Sequence, residues 1–232
     1  FQTARAVSIL RAITGNLGVP GGELWCSPPG ILSPMGSPEL DLREKISAEQ
    51  RKNRLNAKDG LLPIIYYTLP QSIVSAILQG EPYPIRAGFI QAGNMLLTYT
   101  NARRTYEALK KLDFLAVADM FMTPTAALAD IVLPAATYLE FDSISAPPYY
   151  PVAQIQQKVV QIDDCRSDYD ILNGLAKIMG LGEYFLENEE ACMDDVLKPV
   201  GLTFKELRNI GVVVGKKEYR KHEKGGFETQ QQ

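Results

Sequence analysis

The sequence predicts an α/β fold, a three-layer sandwich around a mainly parallel sheet. Three observations predict it. Residues 85–94, 113–119 and 130–134 are short apolar runs. Helical stretches separate the first run from the second and the second from the third. Right-handed crossovers lay three such strands side by side, and their near-continuous apolar character suits a sheet covered on both faces.

Along the chain, residues 3–14 (TARAVSILRAIT) place Ala4, Val7, Ile9, Leu10 and Ile13 at near-helical spacing, with Gly15 and Asn16 ending the helix. The Gly-, Pro- and Ser-rich stretch that follows, to Leu40, is too long for a turn and reads as a functional loop or a linker. Residues 39–58 are charged helix formers and predict a solvated helix. A helix starts at Pro70 and stops at Gly80 and Pro82. IRAGFIQAGN is the first strand. TNARRTYEALKKL is an amphipathic helix with Asn101 as N-cap and an apolar stripe of Ala102, Tyr106, Leu109 and Leu112.

DFLAVAD is the second strand; Thr123 caps a short helix with Pro124 in its first position; DIVLP is the third strand. DSISAPPYYP reads as a Pro-rich loop, and VAQIQQKVVQID alternates as a strand or hairpin arm. SDYDILNGLAKIMG is a helix opened by Ser167 or Asp168, and two more helices are expected near 188–197 and 203–209. From Gly215 the tail is polar and expected to fray. Three consecutive blocks result: an N-terminal helix and connecting loop (1–60), a Rossmann-like domain (61–210) and a polar tail (211–232).

The 232 residues suffice for one large domain or two small ones. The formal net charge is −3, and the one basic stretch is the short GKKEYRKHEKGG, so nucleic-acid binding is not expected. No apolar run reaches the ~20 residues of a membrane span, and these residues are not expected to include a signal peptide. The chain begins at Phe1, as expected of a piece of a longer protein. Cys26, Cys165 and Cys192 stand far apart, and His222 is the single histidine, so no local zinc or iron–sulfur site is expected. The cysteines read as structural thiols in a reducing environment. No G-x-S-x-G, H-E-x-x-H or P-loop pattern occurs, and Glu23 and Glu140 have no evident carboxylate partner. The residues therefore suggest a binding domain, with neither catalytic nor metal-ligating residues.

In such sheets ligands bind beyond the carboxyl ends of the strands. Gly93 there lets a phosphate approach the backbone, and the Asn94 amide can donate to a phosphate or ribose oxygen; the same AGN also reads as a plain strand-ending turn. Asp119 lies 26 positions after Gly93, near the spacing at which nucleotide-binding folds place an acidic residue. It either accepts from a ribose or guanine edge or only caps the following loop. Asp130 opens the third strand at the opposite edge and reads as structural. Asp163, Asp164, Asp168 and Asp170 form an acidic cluster, in which helix capping by Asp168 is the simpler role than metal binding.

Beyond periodicity, AITGNLGVPGGE, then Gly93-Asn94, then ALKKLDFLAVADMFMTPTAALADIVLPAATYLEFD resemble, in that order, the molybdopterin oxidoreductases of the dimethyl sulfoxide reductase family. GGFET resembles the segment before that family's C-terminal domain. The resemblance implies a molybdenum or tungsten ion between two molybdopterin guanine dinucleotides, with two Rossmann-like domains each gripping one nucleotide tail. This chain is similar to the second of them, with elements of its neighbour. Gly93 and Asn94 would lie at the pyrophosphate and ribose, Ala118 and Asp119 at the nucleoside, and Thr123 would support that loop. Asp168 would reach the guanosine end, and either Asp119 or Asp168 would read the guanine edge.

The family's iron–sulfur cysteine motif, metal-ligand region and C-terminal barrel are missing from these residues. Phe141 and Asp142 follow YLE where many members have a lysine, so no site is carried there. The chain alone is expected to be inactive and to hold at most one half of the cofactor. The implied partners are the N- and C-terminal domains of the same polypeptide and an electron-transfer subunit. The implied setting is anaerobic respiration at the cytoplasmic or periplasmic face of a prokaryotic membrane. The alternatives are a stand-alone nucleotide-binding or protein-interaction module, and an NAD(P) dehydrogenase, which the missing G-x-G-x-x-G disfavours.

Overall fold

A computed structural model of the chain describes residues 2–24, 29–31, 46–55, 68–146 and 151–226. Cys26, most of the long Gly/Pro-rich stretch, the ends of the expected 39–58 helix and the FET of GGFET lie outside the described residues. The elements are α1 (Gln2–Ile13), α2 (Ala48–Lys52), α3 (Pro70–Gln79), β1 (Ala87–Gln91), α4 (Met95–Thr98), α5 (Ala102–Lys111), β2 (Phe114–Asp119) and β3 (Ile131–Pro134). They continue with β4 (Ser143–Ser145), β5 (Val152–Gln156), α6 (Asp168–Ile178), α7 (Glu189–Leu197), α8 (Phe204–Ile210), β6 (Val212–Val214) and α9 (Lys221–Gly225). A 3₁₀ turn covers Ala126–Leu128.

The chain divides into two compact units that interleave in sequence. One holds 34–141 and 158–185; the other holds 1–33, 142–157 and 186–232.

The first unit is the α/β part. Its sheet runs β1-β2-β3, all parallel, with Ile90 opposite Val117 and Val117 opposite Val132. The central strand is buried from Leu115 to Ala118, on both faces. Leu115 and Val117 pack with Leu109 and Ala126, and burial of each such aliphatic side chain is worth about 1.5–3 kcal/mol. The flanking strands are only half covered, with Phe89 and Ile131 exposed. Asp130 is structural as expected: its carboxylate accepts the Leu115 N–H at 2.7 Å, at the edge where the strands begin.

Helix α5 is capped by Asn101, whose side chain accepts the Arg104 N–H. Its buried stripe, however, is Thr105, Ala108 and Leu109, continued by Leu112, while Tyr106 is exposed. Both sets follow the helical period; the packed face is rotated from the expected one toward Thr105 and Ala108. Helix α3 packs Val74 and Ile77 on Ala108 and ends at Gly80, a left-handed position.

The other unit carries an antiparallel sheet, β4-β5-β6, which pairs Ile144 with Ile155 and Ala153 with Val213. Strand β4 lies within the stretch expected to be a Pro-rich loop; its SIS triplet is too short to stand out before pairing supplies its partner. Helices α7 and α8 cover the sheet with Met193, Leu197, Phe204 and Leu207. Helix α8 opens with a capping box between Thr203 and Glu206.

Helix α1 forms as expected and ends in a Schellman pair, with Asn16 N–H to Arg11 O and Gly15 N–H to Ala12 O. Its apolar stripe is exposed among the described residues. The described part of the following stretch is a tight turn, in which a Cβ on Gly22 would meet Asn16 O at 2.5 Å. The tail, expected to fray, forms α9, and Arg220 N–H donates to Gly18 O at 2.9 Å. This backbone bond gives the polar segment a fixed partner that its composition did not announce.

Candidate functional site

The parallel register delivers the strand ends to one edge of the first unit. Gln91 pairs with Ala118 and Asp119 with Pro134. One residue beyond, Ala135 bridges Arg166, with Arg166 N–H to Pro134 O at 3.2 Å and Ala136 N–H to Arg166 O at 2.8 Å. Arg166 thus extends the row of tips. Two residues later Asp168 opens α6, so it reaches the same edge as Asp119. The N-cap itself is Ser167, whose hydroxyl accepts the Asp170 N–H. Asp168 is exposed, and its carboxylate has no partner among the described residues.

At the β1 tip, Ala92 takes a left-handed backbone with φ 51°, and its N–H donates to Ala118 O at 3.3 Å. For a residue with a Cβ this conformation costs roughly 1–2 kcal/mol. Gly93 is a glycine that the protein's own packing does not require. A Cβ there would meet Ile90 Cγ2 at 3.4 Å and Gln91 O at 3.6 Å, which are ordinary contacts. Asn94 is the N-cap of α4, and its backbone carbonyl accepts from the Leu97 and Thr98 N–H groups. Its side-chain Oδ1 accepts from the buried Thr125 hydroxyl at 2.7 Å.

At the β2 tip, Asp119 Oδ1 accepts the Phe121 N–H at 3.2 Å and Oδ2 accepts the Thr123 hydroxyl at 3.3 Å. Asp119 therefore does cap the following loop, with one lone pair left on each oxygen. Thr123 in turn accepts the Ala126 N–H at 3.2 Å. It caps the turn as expected, but the turn begins at Ala126 rather than at Pro124. Asn94 and Asp119 are thus tied to the same short segment, through Thr125 and Thr123. Ala118 is fully buried and contributes backbone alone.

Of the residues expected from sequence, Gly93, Asn94, Ala118, Asp119, Thr123 and Asp168 share this edge. Sequence reasoning missed Thr125, Ala92 and Arg166. The T-x-T spacing of Thr123 and Thr125 was a visible signal; the left-handed Ala92 left none, since glycine is the residue expected at positive φ.

Glu140, 3% exposed, accepts from Thr137 N–H at 2.9 Å and Ile162 N–H at 2.9 Å. The Thr137 hydrogen bond, more than that of Ile162, holds its carboxyl below the ordinary glutamate range. Burial pushes the Cys165 and Cys192 thiols up, helped by nearby carboxylates, which disfavours the reactive thiolate. Among the described residues no group of three or more His, Cys, Asp or Glu could hold a metal ion. No helix among them is long and apolar enough to cross a membrane. An apolar groove of about 520 Å³ runs along β1, lined by Ile73, Ile77, Ile85, Phe89 and Leu112, and meets the tips at Gly93.

A fold of this class, with parallel strand tips gathered at one edge, recurs in known proteins. The molybdopterin oxidoreductase family profile matches residues 3–178. The chain belongs to the molybdopterin oxidoreductase family. It is 28% identical to the acetylene hydratase of Syntrophotalea acetylenica over 88% of this chain and 31% of that protein. It is 32% identical to the F420-dependent formate dehydrogenase subunit alpha of Methanocaldococcus jannaschii over 72% of this chain and 24% of that subunit. The solved acetylene hydratase of Pelobacter acetylenicus superposes with a TM-score of 0.76 at 27% identity, over 90% of this chain and 32% of that one. The chain spans a quarter to a third of the length of these relatives.

Proposed function

We propose that the edge formed by the β1 and β2 tips and the start of α6 binds the guanosine–pyrophosphate tail of one molybdopterin guanine dinucleotide. The observation that carries this reading is the pair of unspent polar groups there: the Asn94 Nδ2 donors and the Asp168 carboxylate, neither with a protein partner among the described residues. Both suit a nucleotide. An amide donor matches a phosphate oxygen, and a free carboxylate matches the adjacent N1–H and N2–H donors of guanine. Gly93, which packing does not require, leaves the backbone open to a phosphate. Asp168 is the guanine reader in this account, because Asp119 already accepts from its own loop through both oxygens.

The cofactor, when bound in the whole enzyme, supplies two-electron chemistry at molybdenum or tungsten; the present residues bind and orient its tail. The metal ligand, the iron–sulfur cluster and the electron-transfer subunit belong to the parent assembly, and this chain alone is inactive. The likeness to relatives named formate dehydrogenase and thiosulfate reductase supports the redox reading of the parent, and the likeness to acetylene hydratase supports hydration as the second reading.

Competition binding of GDP and ADP to the 232-residue chain tests the assignment. GDP is expected to bind more tightly, at about millimolar strength, or about −4 kcal/mol. Asp168→Asn is expected to erase the preference for GDP, and Asp119→Asn to retain it. Equal binding of GDP and ADP by the unsubstituted chain would overturn the reading, and loss of preference in Asp119→Asn alone would reassign the guanine edge.

A further inference from the structure

We propose that Thr125 is a positioning residue that locks the Asn94 side-chain amide, so that this side chain offers only N–H donors and selects a phosphate oxygen. The role of the ligand rests on the nucleotide-tail reading above; the lock itself does not.

The direction of the lock follows from a chain of hydrogen bonds that starts at a group with no choice. The Leu96 N–H can only donate, and it donates to Thr125 Oγ1 at 3.1 Å. Thr125 is fully buried, and its Oγ1 stands 2.7 Å from the Asn94 side chain, the one further side-chain partner recorded for it among the described residues. Oγ1 has a second lone pair, but if Asn94 also donated to it the buried hydroxyl proton would have no acceptor among the described residues; the proton therefore goes to Asn94, and the amide atom that receives it is the acceptor, Oδ1. With Oδ1 turned inward, Nδ2 faces away from Thr125, and it has no protein partner among the described residues.

The backbone around the amide is fixed as well. Asn94 is the N-cap of α4, its carbonyl accepts from Leu97 and Thr98 N–H groups, and Thr98 Oγ1 adds a third bond at 2.9 Å. An asparagine free to turn would present donor and acceptor about equally and would not discriminate between ligand atoms. Held by Thr125, it presents two donors. A phosphate oxygen, with charge and acceptor lone pairs and no proton at neutral pH, is the partner such a pair binds most strongly.

The test uses the 15N-labelled 232-residue chain, inorganic pyrophosphate as probe, and the Asn94 side-chain NH₂ resonances as readout. In the unsubstituted chain and in Thr125→Ser, the amide is expected to be rigid in relaxation measurements and to shift on addition of pyrophosphate. In Thr125→Val, which keeps the shape and removes the hydroxyl, it is expected to become mobile, with an apparent dissociation constant about tenfold weaker. Asn94→Asp keeps an acceptor for Thr125 and removes the donors, so backbone shifts at residues 92–96 on adding pyrophosphate are expected to vanish. An Asn94 amide as rigid in Thr125→Val as in the unsubstituted chain would overturn the lock. Should Thr125→Val fail to fold, an undiminished pyrophosphate response in Asn94→Asp would overturn the donor assignment. A mobile amide in Thr125→Val, together with no response to pyrophosphate in the unsubstituted chain, would leave the lock standing and remove the nucleotide-tail reading instead.

Discussion

Single side chains at the sheet edge differ in how much of their bonding capacity the protein uses. Asp119 spends an acceptor site on each oxygen within its own loop, whereas Asp168 spends none. Both carboxylates were legible in the sequence as strand-tip or helix-start residues, because a charge ending an apolar run stands out. Which of them is free was not legible, since it depends on where Thr123 and the Phe121 N–H fall. Glu140 shows the reverse case, a carboxylate used up by structure. Its carboxyl is held below the ordinary range by the Thr137 and Ile162 N–H groups. A lowered folded-state pKa stabilises the fold above the ordinary glutamate value, and that stabilisation drains as pH falls from that value through the lowered one. Glu140→Gln is therefore expected to lower the melting temperature at neutral pH, and the gap from the unsubstituted chain is expected to narrow on acidification. A gap that stays constant with pH, read in a series of thermal melts, would contradict this role.

Elements with strong local signals were readable, and those that depend on distant pairing were not. Helix α5 carries an N-cap, a periodic face and basic residues in its last turn, and it forms where expected. Its apolar face was shifted because Thr105 and Ala108 are small and do not look like core residues until β2 and α3 pack on them. The parallel order of β1, β2 and β3 followed from crossover handedness. Strand β4 and its place beside β5 did not, because three residues carry no period of their own. Helix α8 is held by Thr203 and Glu206 at its start and by Phe204 and Leu207 beneath it. Leu207 is fully buried, so Leu207→Ala is expected to cost about 2–5 kcal/mol in denaturant unfolding. A loss below about 1 kcal/mol would mean that α8 does not depend on this cluster.

At the scale of the whole molecule, the chain divides into two interleaved units, and the candidate edge is built within one of them. Composition marks linkers and tails but not which distant segments return to the same core, so interleaving was hidden from a block-by-block reading. The family was legible because its motif residues, Gly93-Asn94, Asp119 and Thr123, fall at or just beyond the strand tips. The central claim is that these tips share a ligand. The most direct measurement is a map of backbone NMR shifts on titrating GDP into the 232-residue chain. The account predicts that the largest shifts fall at residues 92–96, 118–123 and 166–168. Shifts confined instead to the apolar groove at Ile73, Ile77 and Phe89, or scattered without focus, would contradict it.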